Sequence, residues 1–186
     1  MNALPLPSPL SSSAPDTTID LAAVRAGNPE ALATVYRQHA AAMLTLASRM
    51  TASRADAEDI VHDVFVALPE SLAHYEERGQ FRAWLIRLTT RVALMHERRA
   101  ARLEQRDSLD TVATEGDAER DVLVADHVYG ALRTLKPALR HVFVLRVLHD
   151  LSHSDIARVL GISINASEVR LHRSVQQLRQ LLRGLA

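Results

Sequence analysis

The chain has no cysteine, a single lysine (Lys136), 6 glycines and only 4% aromatic residues. The absence of cysteine excludes disulfides and thiolate metal sites and fits a reducing compartment. No stretch of about 18 apolar residues occurs, so the sequence predicts no membrane insertion. Pro- and Ser-rich residues 1–16 lack the positive charge that precedes the apolar run of a signal peptide and are expected to form a tail. No segment alternates apolar and polar residues for long, which argues against sheet. Net charge is absent as well: 22 basic residues balance 22 acidic ones. Taken alone, that speaks against a general nucleic-acid binder, although the placement of charge matters more than its sum. The cations are almost all arginine, whose planar fork suits phosphates and guanine edges. Codon bias is the plainer cause of that preference.

What remains is 47% hydrophobic residues in helical spacing. The predicted class is all-α, with two small helical domains joined by a flexible linker. A short helix is expected from Asp16–Thr18 to Gly27. Asn28-Pro29 then offers an N-cap and a proline at the first helical position, for a helix running to Met50. Its inner side is predicted from Leu32, Val35, Tyr36, Met43, Leu44 and Ala47. A third helix starts after Ser53 with the stripe Ile60, Val61, Val64, Phe65 and Leu68, and Pro69 should end or kink it. A fourth runs from Phe81 to about Arg102 with Trp84, Leu85, Leu88, Val92 and Met95 inward. Residues 103–119 are acidic and poor in large apolar groups and read as a linker. The second domain, 120–186, should hold a helix to Leu135, one from Pro137 to Leu148, one over Ser152–Leu160 and a last one from Ile164 to Leu182.

The segment from Leu151 to Arg183 reads as a helix-turn-helix. Ile156, Val159, Leu160 and Ile162 can pack between crossed helices, and Ala157 is small where they touch. Gly161 suits the left-handed turn and Ser163 the following N-cap. The second helix carries Arg170, His172, Arg173, Arg179 and Arg183 against Glu168, as a major-groove helix would. A helical hairpin for protein contacts is the duller alternative. No phosphate-cradling glycine loop or Ser-His-Asp set is apparent, and His96-Glu97 lacks the second histidine of a zinc-protease helix. His149 and His153 read as surface histidines, so no cofactor, no metal and no enzymatic activity are expected.

Four motifs in order carry a family resemblance: Asp56-Ala57-Glu58-Asp59-Ile60-Val61-His62-Asp63-Val64-Phe65, then Gly79-Gln80-Phe81-Arg82-Ala83-Trp84-Leu85. Leu135-Lys136-Pro137 with Arg140 follows, and then Asp155-Ile156-Ala157 through Gly161-Ile162-Ser163 with Arg170-Leu171-His172-Arg173. From Leu32 to Leu182 the chain resembles bacterial extracytoplasmic-function (ECF) sigma factors, with residues 17–102 as region 2 and 120–186 as region 4. The resemblance implies a cytoplasmic subunit that binds core RNA polymerase (clamp and flap) and directs it to promoter DNA, with an anti-sigma factor as a further partner common in the family.

Polymerase contacts would come from Asp56, Glu58, Asp59, His62, Asp63 and Phe65. The melted −10 strand would meet Tyr75, Arg78, Gln80, Arg82, Arg87, Arg91, Arg98 and Arg99. Of the nearby rings, Phe81 and Trp84 read as core, while for Tyr75 core and stacking stay open. The −35 duplex would meet Ser163, Asn165, Ala166, Glu168, Val169, Arg170 and Arg173. This chain departs from the family pattern at Ser167, where an apolar core residue is usual, and at Glu168, where a cation is usual. A buried hydroxyl there costs about 1–3 kcal/mol unless it bonds, a carbonyl of the preceding turn being the expected partner. Arg91, Met95 and Pro69 also replace common family residues. A free-standing helix-turn-helix regulator, and a sigma-like protein that binds polymerase without reading promoters, are the alternatives.

Overall fold

The computed structural model describes residues 19–51, 53–76, 80–107 and 125–183. Its helices are α1 (Leu21–Arg25), α2 (Pro29–Met50), α3 (Arg54–Ser71), α4 (Phe81–Asp107), α5 (Ala125–Thr134), α6 (Pro137–Phe143), α7 (His153–Leu160) and α8 (Ile164–Arg183). A 3-10 turn at Leu72–His74 follows α3, and a π-helical turn at Val144–Leu148 continues α6. No strand occurs among the described residues.

Capping chemistry sets the helix starts. The Asn28 side chain accepts from the Glu30 and Ala31 amides ahead of Pro29, and Ser53 accepts from the Asp56 amide. Asp20, rather than Asp16–Thr18, caps α1 through the Ala22 and Ala23 amides. Pro69 does not end α3 at Leu68. The helix continues to Ser71 and tightens into the 3-10 turn, because a proline in the last turn forfeits only one late ladder bond. α4 runs on to Asp107, five residues past the expected end, since 103–107 contain neither glycine nor proline. The first part of the acidic stretch is thus helical; 108–124 lie outside the described residues.

In the first half, α2, α3 and α4 pack on one another and α1 lies across α2 and α3. Their core includes Val35, Met43, Leu46, Met50, Ile60, Val64, Leu68 and Leu85. Arg25 ties α1 to the end of α3, donating to the carbonyls of Leu72 at 2.9 Å and Tyr75 at 2.6 Å. Two predicted core residues are outside: Tyr36 is 55% exposed and Met95 61%. Leu46 and Met50 fill the inner face of α2 instead, while α4 outruns its neighbours, leaving residues 98–103 exposed on every side.

In the second half, α5, α6 and α7 all pack against α8. Ala131, Leu132, Leu135 and Leu178 form a small core of their own. Val142, Val144, Leu145, Leu151 and Ile156 belong to the same buried cluster as the core of the first half. The two halves therefore share apolar packing, which sequence periodicity could not indicate.

Candidate functional site

The acidic helix α3 presents a ridge. Ala57, Ile60, Val61 and Val64 face inward, and the periodicity then leaves Asp56, Glu58, Asp59, His62 and Asp63 exposed. Two of these carboxylates have partners. Glu58 accepts from Arg54 at 3.0 Å in a well-exposed pair, which contributes little. Asp63 meets His96 at 2.8 Å and lies 3.8 Å from His62. Asp59 has no ion pair among the described residues. Phe65 is half-buried, its ring centroid 5.0 Å from that of Tyr36. Beside the acids, Tyr36 and the 69%-exposed Val66 make an apolar margin that the sequence reading missed by assigning Tyr36 to the core. Acid next to exposed apolar surface suits a basic protein partner with its own hydrophobic contacts.

The second surface lies on α4. Arg87, Arg91, Arg98 and Arg102 are spaced by four, seven and four residues, which brings them to one side of the helix. Arg91, Arg98, Arg99 and Arg102 are exposed, as are Gln80 and Arg82, while Arg78 lies outside the described residues. Tyr75 is not available for stacking. It is 6% exposed, with ring centroids 4.9 Å from Trp84 and 5.8 Å from Phe81, and its carbonyl accepts from Arg25. Phe81 and Trp84 stack at 5.7 Å as partly buried supports, as read from the sequence. The aromatic cluster therefore stiffens the start of α4 and leaves the cations as the outward chemistry.

The third surface is the helix-turn-helix. Ser152 caps α7 through the Asp155 amide, and Gly161 ends it at φ +67°, the left-handed region glycine tolerates. Ser163 accepts from the Ala166 amide at 3.1 Å and starts α8. Asn165, Glu168, Val169, His172 and Arg173 all lie exposed on one face of α8, whereas Ala166 and Arg170 are half-buried. His172, which the family resemblance does not place among the duplex contacts, joins this face at the same spacing.

The departure at Ser167 has a local answer. Its side chain is fully buried, and its hydroxyl meets the Nδ1 atom of His153 at 2.8 Å. The bond joins the first turn of α7 to α8, so the buried hydroxyl is satisfied by a side chain rather than by a carbonyl. His153 is consequently part of the motif's frame, not the free surface histidine expected. His149 is half-buried, with both ring nitrogens enclosed. Among the described residues neither of its ring nitrogens has a hydrogen-bond partner. Burial, with Arg49 and then Arg82 nearby, pushes its pKa down to about 4, against a smaller opposing effect of Asp150. No three His, Asp or Glu side chains converge as a metal site among the described residues. No helix among them is long and apolar enough to cross a membrane.

Comparison with known proteins matches two stretches of the chain to family patterns: Sigma-70 region 2 over residues 35–103 and Sigma-70, region 4 over 126–178. The chain is similar to the RNA polymerase sigma factor CarQ of Myxococcus xanthus, 30% identical over 85% of this chain and 92% of the relative. It is 33% identical to the ECF RNA polymerase sigma factor SigE of Mycolicibacterium smegmatis over 80% of this chain, but spans only 60% of that longer protein. Among solved structures, CnrH in complex with the cytosolic domain of CnrY matches 89% of this chain and 96% of that one, with TM-score 0.60 and 28% identity. The sigma factor RpoE bound to the anti-sigma factor NepR, from Bartonella quintana, shares the fold at TM-score 0.64 and 22% identity, over 76% of this chain and 90% of that one. Two sigma-70 patterns in order, with relatives 30% and 33% identical that are themselves RNA polymerase sigma factors, establish that the chain belongs to the ECF sigma factors of RNA polymerase.

Proposed function

We propose that the chain is an alternative sigma factor whose three exposed surfaces divide the labour of promoter-specific initiation. The acidic ridge of α3, with Asp59 at its unpaired centre, docks on core polymerase. The α4 arginines Arg82, Arg87, Arg91, Arg98 and Arg99, with Gln80, hold the backbone of the melted −10 strand, for which cations are the main requirement. The exposed face of α8, Asn165, Glu168, Val169 and Arg173, reads the −35 duplex, with Arg170 and Ala166 at its edge and Ser163 at its start. Tyr75 drops out of the strand set because its ring is enclosed. The chain works in the cytoplasm as a binding subunit rather than as an enzyme. An anti-sigma partner is consistent with the RpoE–NepR likeness.

The observation that carries this reading is the exposed acid row of α3 within the segment that matches region 2. A free-standing DNA-binding regulator would have no use for it. The direct test mixes the purified chain with core polymerase and a genomic DNA library and maps transcript starts. Defined starts that depend on the chain support the reading; polymerase binding without directed starts overturns it in favour of a titrating protein.

Two variants probe the division. Asp59→Arg should weaken polymerase affinity by at least about tenfold, since a like charge faces the basic partner. Its affinity for −35 duplex should be unchanged, and equal loss of both would join functions that are separate here. Arg173→Ala should lower duplex affinity and reduce the slope of log K against log salt by about one unit. An unaltered slope removes Arg173 from the phosphate contacts.

A further inference from the structure

Glu168 is the only acid of α8, whose other charged residues are Arg170, Arg173, Arg179 and Arg183. It stands where a cation is usual in the family, and the ordinary uses of a helical glutamate are closed to it. It lies in the second turn, past the amides where a carboxylate gains from the helix dipole, and Ser163 already caps that end. The residues three and four positions away are Ile164, Asn165, Leu171 and His172, so no arginine or lysine stands at ion-pair spacing. Among the described residues Glu168 makes no hydrogen bond and no ion pair. Its orientation is nevertheless fixed. Ser167 beside it is fully buried and bonded to His153 at 2.8 Å, which fastens this turn of α8 to α7 with Glu168 outward. Apolar side chains flank the carboxylate: Ile164 is 51% exposed and Val169 40%.

We propose that Glu168 sets the target sequence, its carboxylate accepting from the N4 amine of one cytosine in the −35 duplex. A carboxylate carried into the major groove sheds water and meets the field of the phosphates, so it is tolerated there only where it accepts a hydrogen bond. The groove offers amines on cytosine and adenine alone. On adenine the amine adjoins the N7 lone pair, which repels the second carboxylate oxygen; on cytosine it adjoins a C5–H. Guanine and thymine present carbonyl oxygens instead and repel the carboxylate outright. Ile164 and Val169 suit the same pose, since apolar side chains cover pyrimidine C5 edges and keep water from the bond. Glu168 thus lowers affinity on most sequences and spares one, which makes it a discriminator, while Arg173 remains a phosphate contact. This rests on the reading of α8 as the −35 duplex helix.

The test assembles the full chain with core polymerase and presents a promoter library randomised over the −35 element, from which retained sequences are read. One position should select a C·G pair over the other pairs by about tenfold. Glu168→Ala should lose selection at that position alone. Glu168→Gln, whose amide pairs with N6 and N7 of adenine, should move the preference there from cytosine to adenine. Unchanged selection at the remaining positions shows that both variants keep the fold. On the selected duplex, N4-methylcytosine at that position should weaken the unaltered protein and affect Glu168→Ala little.

Identical selection by the unaltered protein and Glu168→Ala makes Glu168 a solvated acid and overturns the proposal, with the duplex reading of α8 left standing. A Glu168-dependent position that selects any base other than cytosine overturns the assignment of the amine. Loss of selection at every position in both variants gives Glu168 a structural role instead. No selection anywhere in the −35 element by the unaltered protein, with transcript starts still defined, fails the duplex reading of α8 itself, and the proposal falls with it.

Discussion

Leu145→Ala should destabilise the whole protein by about 3 kcal/mol, within the range for truncating an enclosed leucine. Leu145 is fully buried in the π-helical turn after α6 and belongs to the cluster that continues into α2, α3 and α4. Its carbonyl also accepts from the Leu151 amide at 3.1 Å, fixing the connection into α7. A cavity there removes apolar contact from both halves at once. Calorimetry should show one unfolding transition displaced downward by roughly 6–12 °C for a chain of this size. Leu178→Ala offers the contrast. Leu178 lies in the small cluster with Ala131, Leu132 and Leu135, which is confined to the second half. Its truncation should loosen that half and leave the first at its original temperature. A Leu145→Ala protein whose first half melts as before would show that the shared core contributes nothing to coupling.

Acidification should weaken the same interface through His149. The ring is held neutral by burial and by the positive neighbours Arg49 and Arg82 across the contact, with Asp150 opposing, and its pKa is near 4 against 6.5 for a free histidine. The unfolded chain therefore takes up a proton that the folded chain refuses. The contribution is fully present above about pH 6.5 and is lost as pH falls towards 4. Between pH 7.5 and 5 the loss is about 2 kcal/mol, from a shift spanning most of that window. Denaturant unfolding of the chain beside His149→Leu isolates this contribution. The variant should be more stable at both pH values, since among the described residues neither His149 ring nitrogen has a hydrogen-bond partner, and its loss on acidification should be smaller by about 2 kcal/mol. Equal pH dependence in the two proteins would assign the acid response to other groups.

Much of this molecule is legible along the chain, wherever the deciding interactions are local. Asn28-Pro29, Ser53, Ser152, Gly161 and Ser163 set helix ends through contacts within a few residues, and all five stand at the helix boundaries expected of them. The inward stripe of α3 follows from 3.6-residue periodicity, and with it the outward row from Asp56 to Asp63. Four ordered motifs were enough to indicate the family, because each is a local arrangement of types and spacings.

The errors share a cause. Tyr36, Met95 and His149 depart from the sequence expectation, and Tyr75 is decided only by packing, because whether a side chain is covered depends on what comes to lie beside it from elsewhere. Periodicity puts Met95 on the inner stripe of α4, but it is His96 and Glu97 that meet α3 and α6, and Met95 stays 61% exposed beside them. His149 and His153 looked like free surface groups until the two halves and the two helices of the motif were packed. Then one was enclosed beside distant arginines and the other bonded to Ser167, fourteen residues away. The sequence by itself determined the helices, their caps, the helix-turn-helix and the family. Only the tertiary structure decided which of the acids and arginines remain exposed, and that Arg87 is held by Asp155 sixty-eight residues along the chain. Short-range hydrogen bonds and periodicity are written in neighbouring residues, whereas burial and long-range ion pairs depend on how whole helices meet.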